Sequence, residues 1–351
     1  MDSPDNGARI QGSASTSRSL NDERRTTGRP PAAGTTSAGI ACRFAQMSLP
    51  LVSICIPTFN YARFLGDAIS SAQAQSYAIT EIIVVDNCST DETPEVVGTF
   101  ARRDSRIRYH RNEQNIGMQG NFNRCLRLAA GRYIKFLCAD DWLDPACVER
   151  MMEMLESRGN VTLVACRREL ADSNMRRLGH LAYSARPHVE RGVETIRRCF
   201  FRGNLIGEPT AVMFRTSQAK RGFSSAYDQI FDLEMWFHLL ERGSFAFIPE
   251  PLCWLRQHQA QGTRGNLGST KIIGDRRRIF KEFATKPYIR AGLPEKLLWD
   301  LRMAWLLCRD TSAENSLVAD VSEAVFFPTL LRVIFKVARK IGALRAAHNS
   351  R

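Results

Sequence analysis

EIIVVDNCSTDET, residues 81–93, decides the fold. Ile82 to Val85 is an unbroken β-branched run, the pattern of a strand buried on both faces of a parallel sheet, and it stops at the turn formers Asp86 and Asn87. Ser89-x-x-Glu92 then reads as a capping box that opens a helix. The same unit recurs to either side. Leu51 to Ile56, Arg106 to His110 and Arg132 to Cys138 are further strands. Phe64, Leu65, Ala68, Ile69 and Ala72 fall on one face of an intervening helix, and a helix over Asn121 to Ala130 ends at Gly131 as its C-cap. Strands alternating with helices predict βαβ units, hence an α/β fold with a mostly parallel, Rossmann-like sheet flanked by helices.

Past Pro145 the pattern predicts a helix to about Ser157 and a strand over Val161 to Cys166, then a polar, Arg-rich segment to about Phe201 that reads poorly. Ala211 to Phe214 reads as a strand, Gln229 to Glu241 as a helix, and Phe245 to Ile248 as a strand closed by Pro249. Beyond Gly274 the chain reads as helical to its end. Residues 1–46 are rich in Ser, Thr, Gly, Ala and Arg without apolar periodicity and are expected to be disordered, with Met47 a plausible true start. The expected organisation is that segment, an α/β domain over 47–262, and a helical C-terminal extension over 263–351.

With 351 residues, 44% of them hydrophobic, the chain can bury a sizeable core. A net charge of +13 favours polyanionic partners, among them nucleotide diphosphates, nucleic acid and anionic membranes. No basic patch with interleaved aromatics or nucleic-acid-binding motif stands out, so nucleic acid is not an expected partner. Ten scattered cysteines with no CxxC pair read as reduced thiols, and no apolar run approaches the ~20 residues of a membrane span. A cytoplasmic location is expected. Phe326 to Arg345 combines Leu330, Leu331, Ile334, Phe335 and Ile341 with Arg332, Lys336, Arg339, Lys340 and Arg345. Such a helix suits peripheral contact with an anionic membrane; packing on the domain with solvated cations explains it equally.

In open parallel sheets the ligand lies beyond the carboxyl ends of the strands. PTFNY follows the first strand here, DNCSTD the second, NEQNIGMQGN the third and ADD the fourth. No glycine cradle of the dinucleotide or P-loop kind is present. Asp140 and Asp141 would repel each other in such a crevice unless a cation intervened, and Mg2+ or Mn2+ bridged to a diphosphate supplies one. Taken alone, such a pair is more often a helix cap and a solvated carboxylate.

PTFN, IIVVDNCSTDET, NEQNIGMQGN and YIKFLCADDWLDP, in this order, together resemble the family 2 glycosyltransferases, inverting enzymes of the GT-A fold that transfer sugars from nucleotide diphosphates. The resemblance runs from about Leu51 to Gly262. It implies that Pro57, Thr58, Asn60 and Tyr61 lie along the nucleotide, that Asp86 contacts a base, typically uracil, and that Asn115, Gly117 and Asn121 line the cleft. Asp86 is equally a turn former and Gly117 equally a left-handed turn. Lys135 either reaches the diphosphate or snorkels from the sheet. The resemblance assigns Asp140 to the ribose and Asp141 to the metal; Cys138 stands where many relatives have another carboxylate. Asp232, in FDLEMWF, matches the general base, with Glu234 the alternative and dipole compensation at a helix start the non-catalytic explanation. GEPT at 207–210 resembles a segment near the donor sugar and the acceptor. Arg256 and His258, in RQH, are assigned to the leaving diphosphate and to the metal or a phosphate. The expected donor is a UDP-sugar and the acceptor a glycan or lipid-linked glycan, as in bacterial surface polysaccharide assembly. A non-catalytic nucleotide-sugar or glycan-binding protein is the alternative.

Overall fold

The structure, a computed structural model, describes residues 49–258, 270–309, 324–331 and 333–334. The segment 1–46, Met47, the 262/263 boundary and most of 326–345 therefore lie outside the described residues.

Strands β1 (Val52–Thr58), β2 (Thr80–Asp86), β3 (Ile107–Arg111) and β4 (Tyr133–Phe136) pair in parallel in the order β3-β2-β1-β4. Three helices connect them: α1 (Ala62–Gln73), α2 (Thr93–Ala101) and α3 (Gly117–Leu128). Alternation along the strands feeds two cores. Ile82 and Val84 of β2 face one core together with Leu65, Ala68 and Ile69 of α1, while Ile83 and Val85 face the other with Phe122 and Cys125 of α3. All seven residues of β1 and of β2 are buried, which explains the absence of a polar face in their sequences.

Beyond β4 the sheet continues through β9 (Val212–Arg215), antiparallel to β4, then β6 (Val161–Ala171), then β10 (Ser244–Arg256), which runs parallel to β6. The short β5 (Trp142–Leu143) closes this edge on β10. Helix α4 (Cys147–Ser157) covers one face. The polar segment that read poorly forms β7 (Arg177–Leu181), β8 (His188–Arg191) and α5 (Gly192–Arg202). Helices α6 (Phe231–Leu240), α7 (Thr270–Phe283) and α8 (Leu293–Arg309) cover the other face, and Ile273, Ile279, Phe283, Trp299 and Met303 share one buried cluster with Trp236 and Phe214.

Three local expectations are corrected. The hydroxyl of Ser89 accepts the N–H of Asn60 at 2.9 Å rather than capping a helix, and α2 starts at Thr93, whose N–H and hydroxyl both reach Asp91. A tertiary bond between two loops outcompetes the local cap. Gly131 is no C-cap: α3 stops at Leu128, and a Cβ at Gly131 would lie 2.6 Å from the Ser53 amide, so this glycine allows close approach to β1. Pro249 does not end its strand, because β10 passes it through bulges between Ile248 and Cys253 and continues to Arg256.

Candidate active site

Strands β1 to β4 all deliver their carboxyl ends to one edge of the sheet. Asp86 closes β2 fully buried, with its carboxylate accepting from the Ser89 N–H at 2.9 Å and the Tyr109 hydroxyl at 2.8 Å, and with Arg111 Nε 3.6 Å away. Beside it Asn87, Asn112, Asn115 and Asn121 form one network. Asn112 donates to Asn87 at 2.8 Å and Asn121 at 3.0 Å; Asn87 donates to Asn115 at 2.8 Å and to the Gly117 carbonyl at 3.2 Å. Asn121 itself donates to the Val85 carbonyl at 2.9 Å, which locks the start of α3 to the end of β2. Gly117 has φ +77°, a left-handed backbone that favours glycine. Asn60, also left-handed at φ 57°, accepts the Thr90 N–H and so joins the loops after β1 and β2. Pro57 and Thr58 end β1 buried, and Thr58 Oγ1 is enclosed without a hydrogen-bond partner.

Asp140 and Asp141 follow β4. Asp140 Oδ2 lies 3.1 Å from His258 Nε2, and the ring of His258 packs against Phe64 and Tyr61 at centroid distances of 4.9 and 5.8 Å. Asp141 Oδ2 accepts from Thr210 Oγ1 at 2.6 Å, and its Oδ1 accepts from the Arg256 backbone N–H at 3.0 Å. Burial pushes both carboxyls above their ordinary range: Asp140 against the pull of His258, and Asp141 well above, with the neighbouring Asp140 charge adding to it. Each carboxylate oxygen keeps a lone pair beyond these bonds. The set suits a hard divalent ion that takes one or two carboxylates and completes its shell with phosphate oxygens and water. Among the described residues no group of three or more His, Cys, Asp or Glu converges as a complete protein cage. Burial and both aspartates push the Cys138 thiol well up, so it supplies no thiolate in the position of the missing carboxylate.

Two expected phosphate ligands are committed elsewhere. Lys135 is fully buried, with Nζ on the carbonyls of Thr210 and Val212, so it buttresses the back of Thr210. Arg256 is 2% exposed; its guanidinium donates to Asp67 at 2.7 Å, to the Asp140 carbonyl at 2.9 Å and to the Ser173 carbonyl at 3.2 Å, and stacks between Phe64 and Trp142. It braces the aspartate pair from behind.

Asp232 stands in the first turn of α6, half-buried. One of its oxygens accepts the Leu233 N–H at 2.7 Å and the other the Asn204 side-chain amide at 3.2 Å. Burial raises its pKa to about 7, with Glu208 adding to the rise and the Leu233 N–H and Arg276 opposing it. Glu234, the alternative base, is held bidentate by Arg221 at 2.7 Å on both oxygens.

The two acidic positions are joined through one segment. Asn204 binds Asp232, Asn204 and Gly207 hydrogen-bond each other, and Thr210 binds Asp141. The Trp236 indole donates to the Gly207 carbonyl at 3.0 Å and fixes the segment to α6. Glu208, in its middle, has a side chain 44% exposed and close enough to raise the pKa of both Asp141 and Asp232. Asn204 lies outside the GEPT stretch and carries no sequence signal of its own; the fold alone brings it to Asp232.

The family model described as Glycosyl transferase family 2 matches residues 53–231. The chain belongs to that family, whose members are glycosyltransferases. An uncharacterized protein of Mycobacterium tuberculosis is 31% identical over 247 residues, covering 68% of this chain and 77% of its own. The putative teichuronic acid biosynthesis glycosyltransferase TuaG of Bacillus subtilis is 35% identical over 109 residues, 31% of this chain and 43% of its own. Among solved structures, the mannosyltransferase PcManGT of Pyrobaculum calidifontis, in complex with GDP-Man and Mn2+, superposes with TM-score 0.53 at 17% identity, covering 89% of this chain and 86% of that one. That likeness bears on the fold, which is the GT-A architecture.

Proposed function

We propose that the chain is an inverting glycosyltransferase that uses a nucleotide-diphosphate sugar, with UDP-sugars as the donor class, and an acceptor hydroxyl on a glycan or lipid-linked glycan. Asp232 takes the acceptor proton as the acceptor oxygen bonds to the anomeric carbon; the carbon–phosphate oxygen bond breaks, and the nucleoside diphosphate leaves with the electron pair. A group titrating near 7 suits a general base at neutral pH. Asp141, with Asp140 and His258 beside it, is the place for Mn2+ or Mg2+, which when bound offsets the charge gathering on the departing diphosphate. Asp86, Pro57, Thr58, Asn60, Tyr61 and the Asn115–Gly117–Asn121 loop form the nucleotide side of the cleft. The likeness to TuaG supports a place in surface polysaccharide assembly.

The observation that carries this reading is the Asn204–Thr210 segment, hydrogen-bonded at one end to the proposed base and at the other to the proposed metal ligand. The test is a screen of UDP- and GDP-sugars, with and without Mn2+, followed by turnover of the donor that stabilises the chain. Stabilisation by a sugar nucleotide and Mn2+, with turnover lost in Asp232→Asn, is the expected result. Binding without turnover toward any acceptor or water would instead favour a non-catalytic sugar-nucleotide binder, and full activity in Asp232→Asn would remove the base assignment.

A further inference from the structure

Gly203, at the end of α5, has φ +89°, and a Cβ built on it would lie 3.2 Å from Arg302 Nη1 and 3.7 Å from Arg276 Nη2. Two guanidinium groups, one from α7 and one from α8, therefore converge over a single backbone position. Like charges so placed repel, and each disfavours a neighbour's protonation. Among the described residues neither has a carboxylate in ion-pair contact. Arg302 donates to the Phe201 carbonyl at 3.2 Å, which occupies one of its five N–H groups at the C-terminal end of α5. Burial first and Arg302 second depress Arg276 to about 10, with Cys199, Asp232 and Asp275 opposing the fall only in part. The next residue after Gly203 is Asn204, whose amide holds Asp232, and Arg276 acts electrostatically on Asp232 itself.

We propose that Arg276 and Arg302 form an anion subsite beside Asp232 that receives a phosphate group carried by the acceptor. This rests on reading Asp232 as the base. Two planar guanidinium forks offer more donors than one carboxylate can accept, whereas a phosphate has oxygens enough for both. The two arginines lie at the Asp232 end of the Asn204–Thr210 segment, whose other end holds Asp141, on the aspartate pair to which the donor's diphosphate is assigned. The acceptor would thus be oriented by its own phosphate, with its free hydroxyl presented to the base. The phosphate can come from a soluble sugar or polyol phosphate or from a lipid-linked diphosphate; the chemistry recognised is the same.

The test uses the full chain with UDP and Mn2+ saturating the donor cleft, titrated calorimetrically with glycerol 3-phosphate and, separately, with glycerol. Glycerol 3-phosphate is expected to bind and glycerol not to. The Arg276→Gln/Arg302→Gln double variant is expected to weaken binding at least tenfold, while Arg276→Lys, which keeps the charge, retains part of it. Asp232→Asn, which removes a nearby negative charge, is expected to bind the phosphate as tightly or more tightly. A farnesyl diphosphate arm in detergent separates the sources: tighter binding than glycerol 3-phosphate through the same arginines assigns the subsite to lipid-linked acceptors, and equal binding assigns it to soluble ones. Undiminished binding by the double variant, or no binding by the unmodified chain, would overturn the subsite while leaving the base assignment standing. Arginine-dependent binding together with full turnover in Asp232→Asn would remove the base and keep the subsite.

Discussion

Thr210 and Asp141 are held together by a 2.6 Å hydrogen bond whose donor hydroxyl also accepts the Cys138 N–H at 3.0 Å. One side chain on a single 3-10 turn thus fixes both the orientation of the inner aspartate and the bend of the chain leaving β4. Thr210→Val keeps the shape and removes both bonds, leaving a buried carboxyl and a buried N–H without this partner. A loss of about 1–3 kcal/mol in unfolding free energy is expected, read as a lower urea midpoint at unchanged slope. Thr210→Ser, which keeps the hydroxyl, should recover most of it; a Ser variant as unstable as Val would mean that the methyl packing matters instead.

Asp232 supplies the pH dependence. Its folded pKa of about 7 lies above the unfolded carboxylate value of 3.8, so the folded state prefers the protonated form. The stability this represents is fully present below pH 3.8 and is lost as pH rises through 7. Asp232→Asn should therefore be more stable than the unmodified chain above pH 7, with the difference fading in acid. Turnover runs the opposite way: rates should rise with pH through a limb near 7 and fall about 10²- to 10⁴-fold in the Asn variant. Glu208 raises this pKa and Arg276 lowers it, so Glu208→Gln should move the limb down and Arg276→Gln move it up. A limb that stays in place in both variants would assign it to another group.

The helix that carries the proposed base, Asp232, is anchored from outside the matched family segment. Fully buried Asp275 of α7 accepts the N–H groups of Asp228, Gln229 and Ile230, just ahead of α6. These donors would otherwise be lost to burial, and the carboxylate also favours the positive end of the helix. Asp275→Ala should cost about 1–3 kcal/mol of stability and lower turnover more than it raises the KM for the sugar nucleotide, because the displaced element carries the proposed base and not the loops proposed to hold the nucleotide. Equal changes in both parameters would argue against a selective effect on α6.

The parallel half of the sheet was legible because each strand is a continuous apolar run ended by turn residues, a local pattern that burial on both faces imposes. Asp140, Asp141 and Asp232 stand out in the sequence only through the joint resemblance of the motifs around them, because an acid at a strand or helix end is by itself explained by a cap or by solvation. Contacts between segments were not legible. Ser89 has the spacing of a cap yet serves Asn60, and Gly131 has the position of a cap yet makes room for Ser53. Arg256 and Lys135 look like phosphate ligands in one dimension, but the fold spends their charges on Asp67 and on the carbonyls of Thr210 and Val212. Asn204 and Arg276 carry no motif, and only the packing of α5, α6 and α7 brings them to Asp232.

Glu234 and Arg221 separate the two acids at the start of α6. The Glu234 side chain is 2% exposed and both its oxygens are bound by Arg221, which is itself 38% exposed. Burial still leaves the carboxyl above its ordinary pKa, so the arginine offsets the desolvation only in part. Both oxygens of Glu234 are tied to the Arg221 cation, which makes this carboxylate a poorer proton acceptor and directs it to the ion pair, whereas among the described residues Asp232 accepts hydrogen bonds from neutral N–H groups. Glu234→Gln should therefore keep turnover while weakening the fold by about 1–2 kcal/mol, less than for a fully buried pair because water still reaches Arg221. A thermal-shift measurement beside a transfer assay checks both halves: a Gln variant that is stable but inactive would transfer the role of base from Asp232 to Glu234.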